Sequence, residues 1–157
     1  MDNYVKRVIN ELTMKISKSD TYLTPAGNNI FEKGKSKILG KKLTDEFHTS
    51  SARNVFVAKI EIPDIHQEAA VLSTRVKEPN DTDWKKLARM IKYLNGKNKN
   101  NLTMSADDLK LVKWYVEESI VLYPDFNIHI REIMTMGQGA MHSFSRKKKM
   151  KKEHYRG

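Results

Sequence analysis

Two pairs of adjacent carboxylates in the C-terminal half of this 157-residue chain are candidates for acid–base or metal-dependent chemistry. They are Asp107-Asp108 and Glu117-Glu118. Paired carboxylates can hold the divalent cations used in phosphoryl transfer and nucleic-acid cleavage. Glu117 and Glu118 lie in an aromatic, β-branched stretch that predicts a strand, where adjacent side chains point to opposite faces. We therefore expect no coupled acid pair there, and we interpret Asp107-Asp108 as part of a polar loop.

The histidines do not predict a metal site, because they are dispersed and show no His-Glu-x-x-His or similar spacing. The chain has no cysteine, which excludes thiolate ligands and disulfides. It also has no Gly-rich phosphate-binding loop. These residues therefore predict no metal and no cofactor.

The net charge is +10 and the sequence pI is about 9.7. Residues 146–156 hold seven cations and one acid, and seven minus one leaves +6 in that segment. Such an excess suits a polyanionic partner, nucleic acid first, but it is also typical of a solvated tail. The candidate nucleic-acid-binding residues are cations of one predicted helix and of this tail: Lys85, Lys86, Arg89, Arg146, Lys147, Lys148, Lys149, Lys151 and Lys152.

Signals for export and membrane insertion are absent from the sequence. No apolar run approaches the roughly 18 residues of a membrane span. The first residues lack the apolar core of a secretory signal. The sequence therefore predicts an intracellular protein, cytoplasmic or nuclear, without a membrane partner.

The N-terminal part predicts one short helix followed by irregular structure. Apolar residues at helical spacing indicate a helix over residues 3–12. Residues 13–42 lose this periodicity and contain Pro25 and several glycines, which favours a linker. Because a loop of this length is unusual inside a compact domain, we expect that it once packed against structure now absent.

Two helices are predicted in the first part of a helical region over residues 43–99. Thr44 is a good N-cap for the first of them, whose apolar face is uneven. The second lies between Pro63 and Pro79, because proline suits a first helical turn and cannot continue a helix.

The third helix of this region begins at Asp81 or Thr82 and is closed by Gly96. One face carries an apolar stripe at helical spacing. Its cations, which include Lys85, Lys86 and Arg89, are interpreted first as a solvent-facing surface and second as phosphate contacts.

Beyond residue 99 the apolar period changes and predicts strands, at 111–116, at 128–136 and at 140–144, with a further short one at 102–104. Gly137-Gln138-Gly139 is a hairpin signal. The fold class is therefore α+β, with a helical segment followed by a small three-stranded antiparallel sheet. The predicted units are an N-terminal helix and linker over 1–42, helices over 43–99, a sheet over 100–146 and a basic tail over 147–157.

Five motifs occur in a recognisable order along the chain. They are T-R-V-K-E-P at 74–79, D-W-K-K-L at 83–87, K-W-Y-V-E-E-S at 113–119, M-T-M-G-Q-G-A at 134–140 and S-F-S-R-K-K-K at 143–149. In these motifs the chain resembles the pol polyprotein of copia-type LTR retrotransposons. The matching region is the connection after the reverse transcriptase, running into the start of the ribonuclease H domain.

The resemblance implies an incomplete ribonuclease H-like sheet and, in the intact family, Mg²⁺. The family's first metal-binding Asp corresponds to Glu117, whose extra methylene displaces the carboxylate, and Mg²⁺ tolerates little geometric error. Glu153 stands near the next acid, and the remaining ones would lie beyond Gly157. The reverse transcriptase signature Tyr-x-Asp-Asp is absent. We therefore expect a truncated, degenerate copy with Glu117 as a degenerate catalytic position.

Three functions stay open for such a chain. The first is non-catalytic, non-specific binding of RNA, DNA or their hybrid. The second is residual metal-dependent ribonuclease H activity, using Glu117 with Glu153 or with carboxylates from a larger assembly such as the rest of the pol polyprotein. The third is a protein-interaction scaffold. Polar Ser50, Ser51 and Asn54 stand where the family is apolar, which predicts a weakened core.

Overall fold

The computed structural model describes residues 2–11, 17, 19–97, 105–106, 111–119 and 127–149. Within them, four helices precede a three-stranded antiparallel sheet, which confirms the α+β class. The helices are α1 (Asp2–Asn10), α2 (Lys41–Ile60), α3 (His66–Ser73) and α4 (Asp81–Lys97). The strands are β1 (Ser105–Ala106), β2 (Lys113–Ser119), β3 (Ile128–Thr135), β4 (Gly137–Gln138) and β5 (His142–Lys148).

The main sheet has the strand order β2-β3-β5, and both pairs are antiparallel, as in the predicted meander. Gly139 has a φ of 83°, which favours glycine, so the hairpin between β3 and β5 depends on it. Gly137 and Gln138 form more than a turn, because they pair with β1 in a separate two-stranded ladder. The strand predicted at 102–104 lies outside the described residues.

The third strand of the sheet is longer than predicted. β5 pairs with β3 as far as the register Ile128↔Lys148. Lys147 and Lys148, which the sequence assigns to the tail over 147–157, therefore belong to the sheet. Backbone pairing along β3 extends the strand here although the side chains are charged.

The helices share one apolar core. Val5 of α1, Phe47 of α2, Leu72 of α3 and Leu87 of α4 are all buried in the same cluster. The periodic apolar faces of the sequence therefore meet one another, which is the packing that stabilises short helices in proteins.

Two helix boundaries differ from the prediction. The N-cap of α2 is Gly40, and the hydroxyl of Thr44 bonds instead to the carbonyl of Leu39 at 3.3 Å. The second predicted helix is a 3-10 turn over Pro63–Ile65 followed by α3, which ends at Ser73. Ser73 and Thr74 bond to carbonyls three residues earlier, and such bonds compete with helix continuation.

The described part of the predicted linker packs against the helical part of this chain. The guanidinium of Arg75 donates to the carbonyls of Ile30, Phe31 and Glu32 at 3.3, 2.9 and 2.8 Å. Lys86 also reaches Glu32, at 2.6 Å. The segment is thereby fixed to the turn between α3 and α4.

A buried ion pair lies at the centre of this attachment. Nη1 of Arg75 is 2.7 Å from Oδ1 of Asp83, whose side chain is fully buried. The backbone N–H of Asp83 donates to Oδ1 of Asn80, and the N–H of Asn80 donates to Oδ2 of Asp83. This reciprocal pair is a capping box, which fixes the start of α4.

Asp83→Ala removes one partner of the buried ion pair and half of the capping box. We expect the free energy of unfolding to fall by about 3–5 kcal/mol, because the guanidinium of Arg75 keeps its burial but loses its counter-charge. Urea denaturation followed by far-UV circular dichroism measures this loss. The more exposed Lys92–Asp20 pair is the control, and Lys92→Ala should cost at most about 1 kcal/mol. If both variants lose the same free energy of unfolding, the buried ion pair is no more important for stability than the exposed one.

Candidate nucleic-acid interface

The pleat of the main sheet separates its residues into two faces. Ser143 of β5 bonds through Oγ to Nδ1 of His66 in α3 at 3.0 Å, so its face meets the helices and is called the inner face. The opposite, outer face follows from the strand registers. It consists of Trp114, Val116, Glu118, Ile128, Ile130, Glu132, Met134, His142, Phe144, Arg146 and Lys148.

Aromatic side chains lie on the two flanking strands of the outer face. Trp114, Met134 and His142 are register partners on the three strands, and the rings of Trp114 and His142 have centroids 6.3 Å apart. Trp114 is 55% exposed. Phe144 lies one row further along β5 and is half-buried. Ring surface is therefore available to a flat ligand at this end of the sheet.

Cations adjoin these rings along β5. The guanidinium carbon of Arg146 lies 4.9 Å from the ring centroid of Phe144. Arg146, Lys148 and Lys149 are all exposed. Such a surface can stack planar groups on its rings and attract phosphates with its cations.

The α4 cations differ in whether their charged groups are free to contact a phosphate. Lys85 is exposed, as the sequence predicts. Lys86 is buried, with its ammonium donating to the carbonyls of Ile30 and Glu32, so its solvent-facing interpretation is wrong. Burial, followed by the nearby charge of Arg75, lowers the pKa of Lys86. The sequence neighbours of position 86, Lys85 and Leu87, do not reveal this burial, because the partners of Lys86 lie far away in the sequence.

Arg89 is also engaged within the fold. Its Nη2 donates to Oγ1 of Thr24 at 2.9 Å, and its guanidinium lies 4.5 Å from the ring centroid of Tyr22. A cavity of about 210 Å³ separates this segment from α4 and is lined by Lys85, Lys86 and Arg89, among others. Because two of its three cations already hold the chain together, the cavity is a weaker phosphate site than β5.

The remaining predicted positions are placed as follows. Lys147 is half-buried on the inner face. Glu117 is exposed on β2, with Arg131 as its register partner on β3. The structure does not describe Asp107-Asp108, Lys151, Lys152 or Glu153.

Among the described residues, no group of three or more His, Cys, Asp or Glu side chains could hold a metal ion. No helix in that part of the chain is long and apolar enough to cross a membrane.

The inner face is polar, which the sequence pattern did not lead us to predict. Besides His66 and Ser143, Nε2 of His129 lies 2.6 Å from Oγ of Ser145. A hydroxyl beside an imidazole can form a nucleophile–base pair. Both serines are buried, however. The first pair joins α3 to β5 and the second joins β3 to β5, so neither is open to a substrate. The alternation of Ser143 and Ser145 along β5 was the available signal.

Burial controls the ionisation of this interface. It lowers the pKa of His66, and the charge of Arg131 lowers it further. Burial also lowers the pKa of His129, although Glu117 opposes that shift. The pKa of Glu68 is raised by burial. Burial therefore favours the neutral form of both histidines.

No protein-family model matches the chain, and no curated protein or solved structure does so either. The resemblance to copia-type pol proteins therefore stays a prediction from the sequence motifs.

Mild acidification should destabilise the protein through His66 and His129. The unfolded chain binds their protons near the ordinary pKa of 6.5, whereas the folded protein binds them only at lower pH. The free energy of unfolding should therefore fall as pH drops through 6.5 towards the folded pKa values. Urea denaturation at a series of pH values measures this slope.

His66→Gln should flatten this pH dependence, because the amide can still bond to Ser143 but does not titrate in this range. His48→Gln, at an exposed position on α2, is the matched control and should keep the wild-type slope. If His66→Gln leaves the slope unchanged, protonation of His66 is not a cause of the pH dependence.

Proposed function

We propose that the chain is a non-catalytic nucleic-acid-binding protein, derived from a copia-type retrotransposon pol region, that holds single-stranded RNA or DNA on the outer face of its sheet. The observation that supports this is the exposed combination of Trp114 and His142 with Arg146 and Lys148 on one face. Single strands offer unstacked bases to aromatic rings and phosphates to neighbouring cations.

The charge distribution favours binding without sequence preference. Glu118 and Glu132 also lie on the outer face, so its positive character is concentrated along β5. Arg146, Lys148 and Lys149 at that end suit a phosphate backbone. Stacking and phosphate contacts tolerate every base, and the proposed affinity is therefore non-specific and strongly dependent on salt.

The surroundings of Glu117 argue against cleavage as the retained activity. Hydrolysis with two metal ions requires several carboxylates around the cations. The register partner of Glu117 on β3 is Arg131, a cation where a further carboxylate would be useful. Glu117 is thus better placed to neutralise Arg131 than to help hold two divalent ions.

Trp114→Ala should weaken binding of a fluorescein-labelled single-stranded oligonucleotide by about 5- to 150-fold, which corresponds to the ~1–3 kcal/mol of one stacked base. Arg146→Ala with Lys148→Ala should make the slope of log K against log salt shallower by about 1.4, because two phosphate contacts are lost. Fluorescence anisotropy at several salt concentrations measures both effects.

Lys41→Ala with Lys42→Ala is the matched control, because it removes the same charge from exposed positions on α2. This double variant should keep the wild-type slope. Equal effects of the two double variants would show that net charge, and not the sheet surface, governs binding. An affinity that stays flat with salt would refute the proposal.

An RNA–DNA hybrid incubated with the protein and Mg²⁺ or Mn²⁺ should stay intact. Glu117→Ala should give the same result, because a single carboxylate cannot hold two catalytic cations. Gel electrophoresis of an end-labelled RNA strand detects cleavage. Cleavage that disappears in Glu117→Ala would favour the alternative of a residual ribonuclease H.

A further inference from the structure

β2 is an edge strand with unusually apolar, exposed side chains. It pairs with β3 on one side, and the structure shows no strand on its other side among the described residues. Trp114, Tyr115 and Val116 are 55%, 58% and 66% exposed. Tyr115 lies on the inner face and the other two lie on the outer face, so both faces of this strand are open. An edge of this kind is a template for another strand.

The pleat limits how two copies of β2 could pair. Residues directly opposite each other in an antiparallel ladder point to the same face of the sheet. A twofold axis perpendicular to the sheet keeps both sets of helices on one side. With such an axis, a residue of one β2 must lie opposite a residue of the other β2 whose number differs by zero or an even number. An odd difference would place inner-face side chains opposite outer-face side chains.

In one of these registers, the side chains of one β2 are complementary to those of the other. When Tyr115 opposes Tyr115, Lys113 opposes Glu117 and Trp114 opposes Val116, each pair occurring twice by symmetry. Opposite charges and aromatic–β-branched pairs are the combinations that stabilise a ladder.

The neighbouring even registers lack this match. A ladder centred on Val116 places Trp114 opposite Glu118 and Tyr115 opposite Glu117. A ladder centred on Trp114 places Lys113 opposite Tyr115. Only the Tyr115-centred ladder among these three places a carboxylate opposite Lys113, so charge complementarity selects it.

We propose that β2 pairs antiparallel with β2 of a second copy, centred on Tyr115, and joins two three-stranded sheets into one continuous sheet. The interface is isologous and closes as a dimer. The same arrangement at β5 would bring Arg146, Lys147 and Lys148 of two copies together, and like charges oppose such pairing. The proposal does not depend on nucleic-acid binding.

The experiment is a charge exchange followed by sedimentation velocity over a concentration series in low salt. Wild type should show a monomer–dimer equilibrium. Lys113→Glu and Glu117→Lys should each weaken the dimer on the order of tenfold or more, because both symmetric pairs become repulsive. The double variant Lys113→Glu/Glu117→Lys should restore it. Far-UV circular dichroism confirms that each variant is folded.

An equimolar mixture of the two single variants gives the most specific test of the proposed pairing. Neither variant should dimerise well alone, yet the mixture should, because each pair then again joins opposite charges. This arm also avoids any misfolding specific to the double variant. Lys41→Glu, which reverses one exposed charge outside the sheet, is the control and should dimerise like wild type.

Three results would overturn the proposal. The wild-type protein could stay monomeric throughout the concentration series. The mixture could fail to associate while both single variants are folded. Association could continue beyond the dimer, which would indicate head-to-tail pairing of β2 with another edge, since only isologous contacts close after two copies.

Discussion

The buried ion pair between Arg75 and Asp83 is the constraint on which the helical part of the fold depends. A fully buried carboxylate is stable as an ion only where counter-charge and hydrogen-bond donors surround it. Arg75 and the N–H of Asn80 supply them here. Because Arg75 also holds the carbonyls of residues 30–32, one network fixes the α3–α4 turn, the start of α4 and the preceding segment. Well-packed apolar side chains at these positions could make the fold equally stable. The main contribution of the network is therefore that it specifies one arrangement of these segments.

The core beneath this network is weakened by polar side chains of α2. Ser50, Ser51 and Asn54 are all buried. Asn54 donates to the carbonyl of Ser50 at 2.8 Å, but Oγ of Ser51 and Oδ1 of Asn54 have no hydrogen-bond partner in the structure. A buried unpaired polar group costs about 1–3 kcal/mol. Because the sheet is also joined to α3 through a serine–histidine pair, its attachment depends on protonation more than an apolar interface would.

The parts of the fold that could be predicted are those encoded by local signals. α4 is predicted from Asp81 or Thr82 to Gly96 and extends over Asp81–Lys97. The acidic residues at its start are a local signal, whereas Gly96 lies inside the helix and does not close it. The burial of Lys86 could not be predicted in this way, since its carbonyl partners lie 54 and 56 positions earlier. The same limit applies to the candidate site. Alternation places Trp114 on one face of a predicted strand, but a contact between His66 and Ser143 of β5, 77 positions apart, decides which face of the sheet meets the helices.

The outer face and the edge of β2 share residues, and this overlap connects the two proposals physically. In the Tyr115-centred ladder, Trp114 of each copy lies opposite Val116 of the other, so the two outer faces become one surface. A single strand long enough to reach both β5 edges would then meet two sets of cations on one rigid sheet. Its second contact would be intramolecular, and the affinity would rise through effective concentration without any new kind of contact. Short oligonucleotides would gain nothing from dimerisation, whereas longer ones would bind more tightly and would in turn favour the dimer, because ligand binding and association are thermodynamically linked.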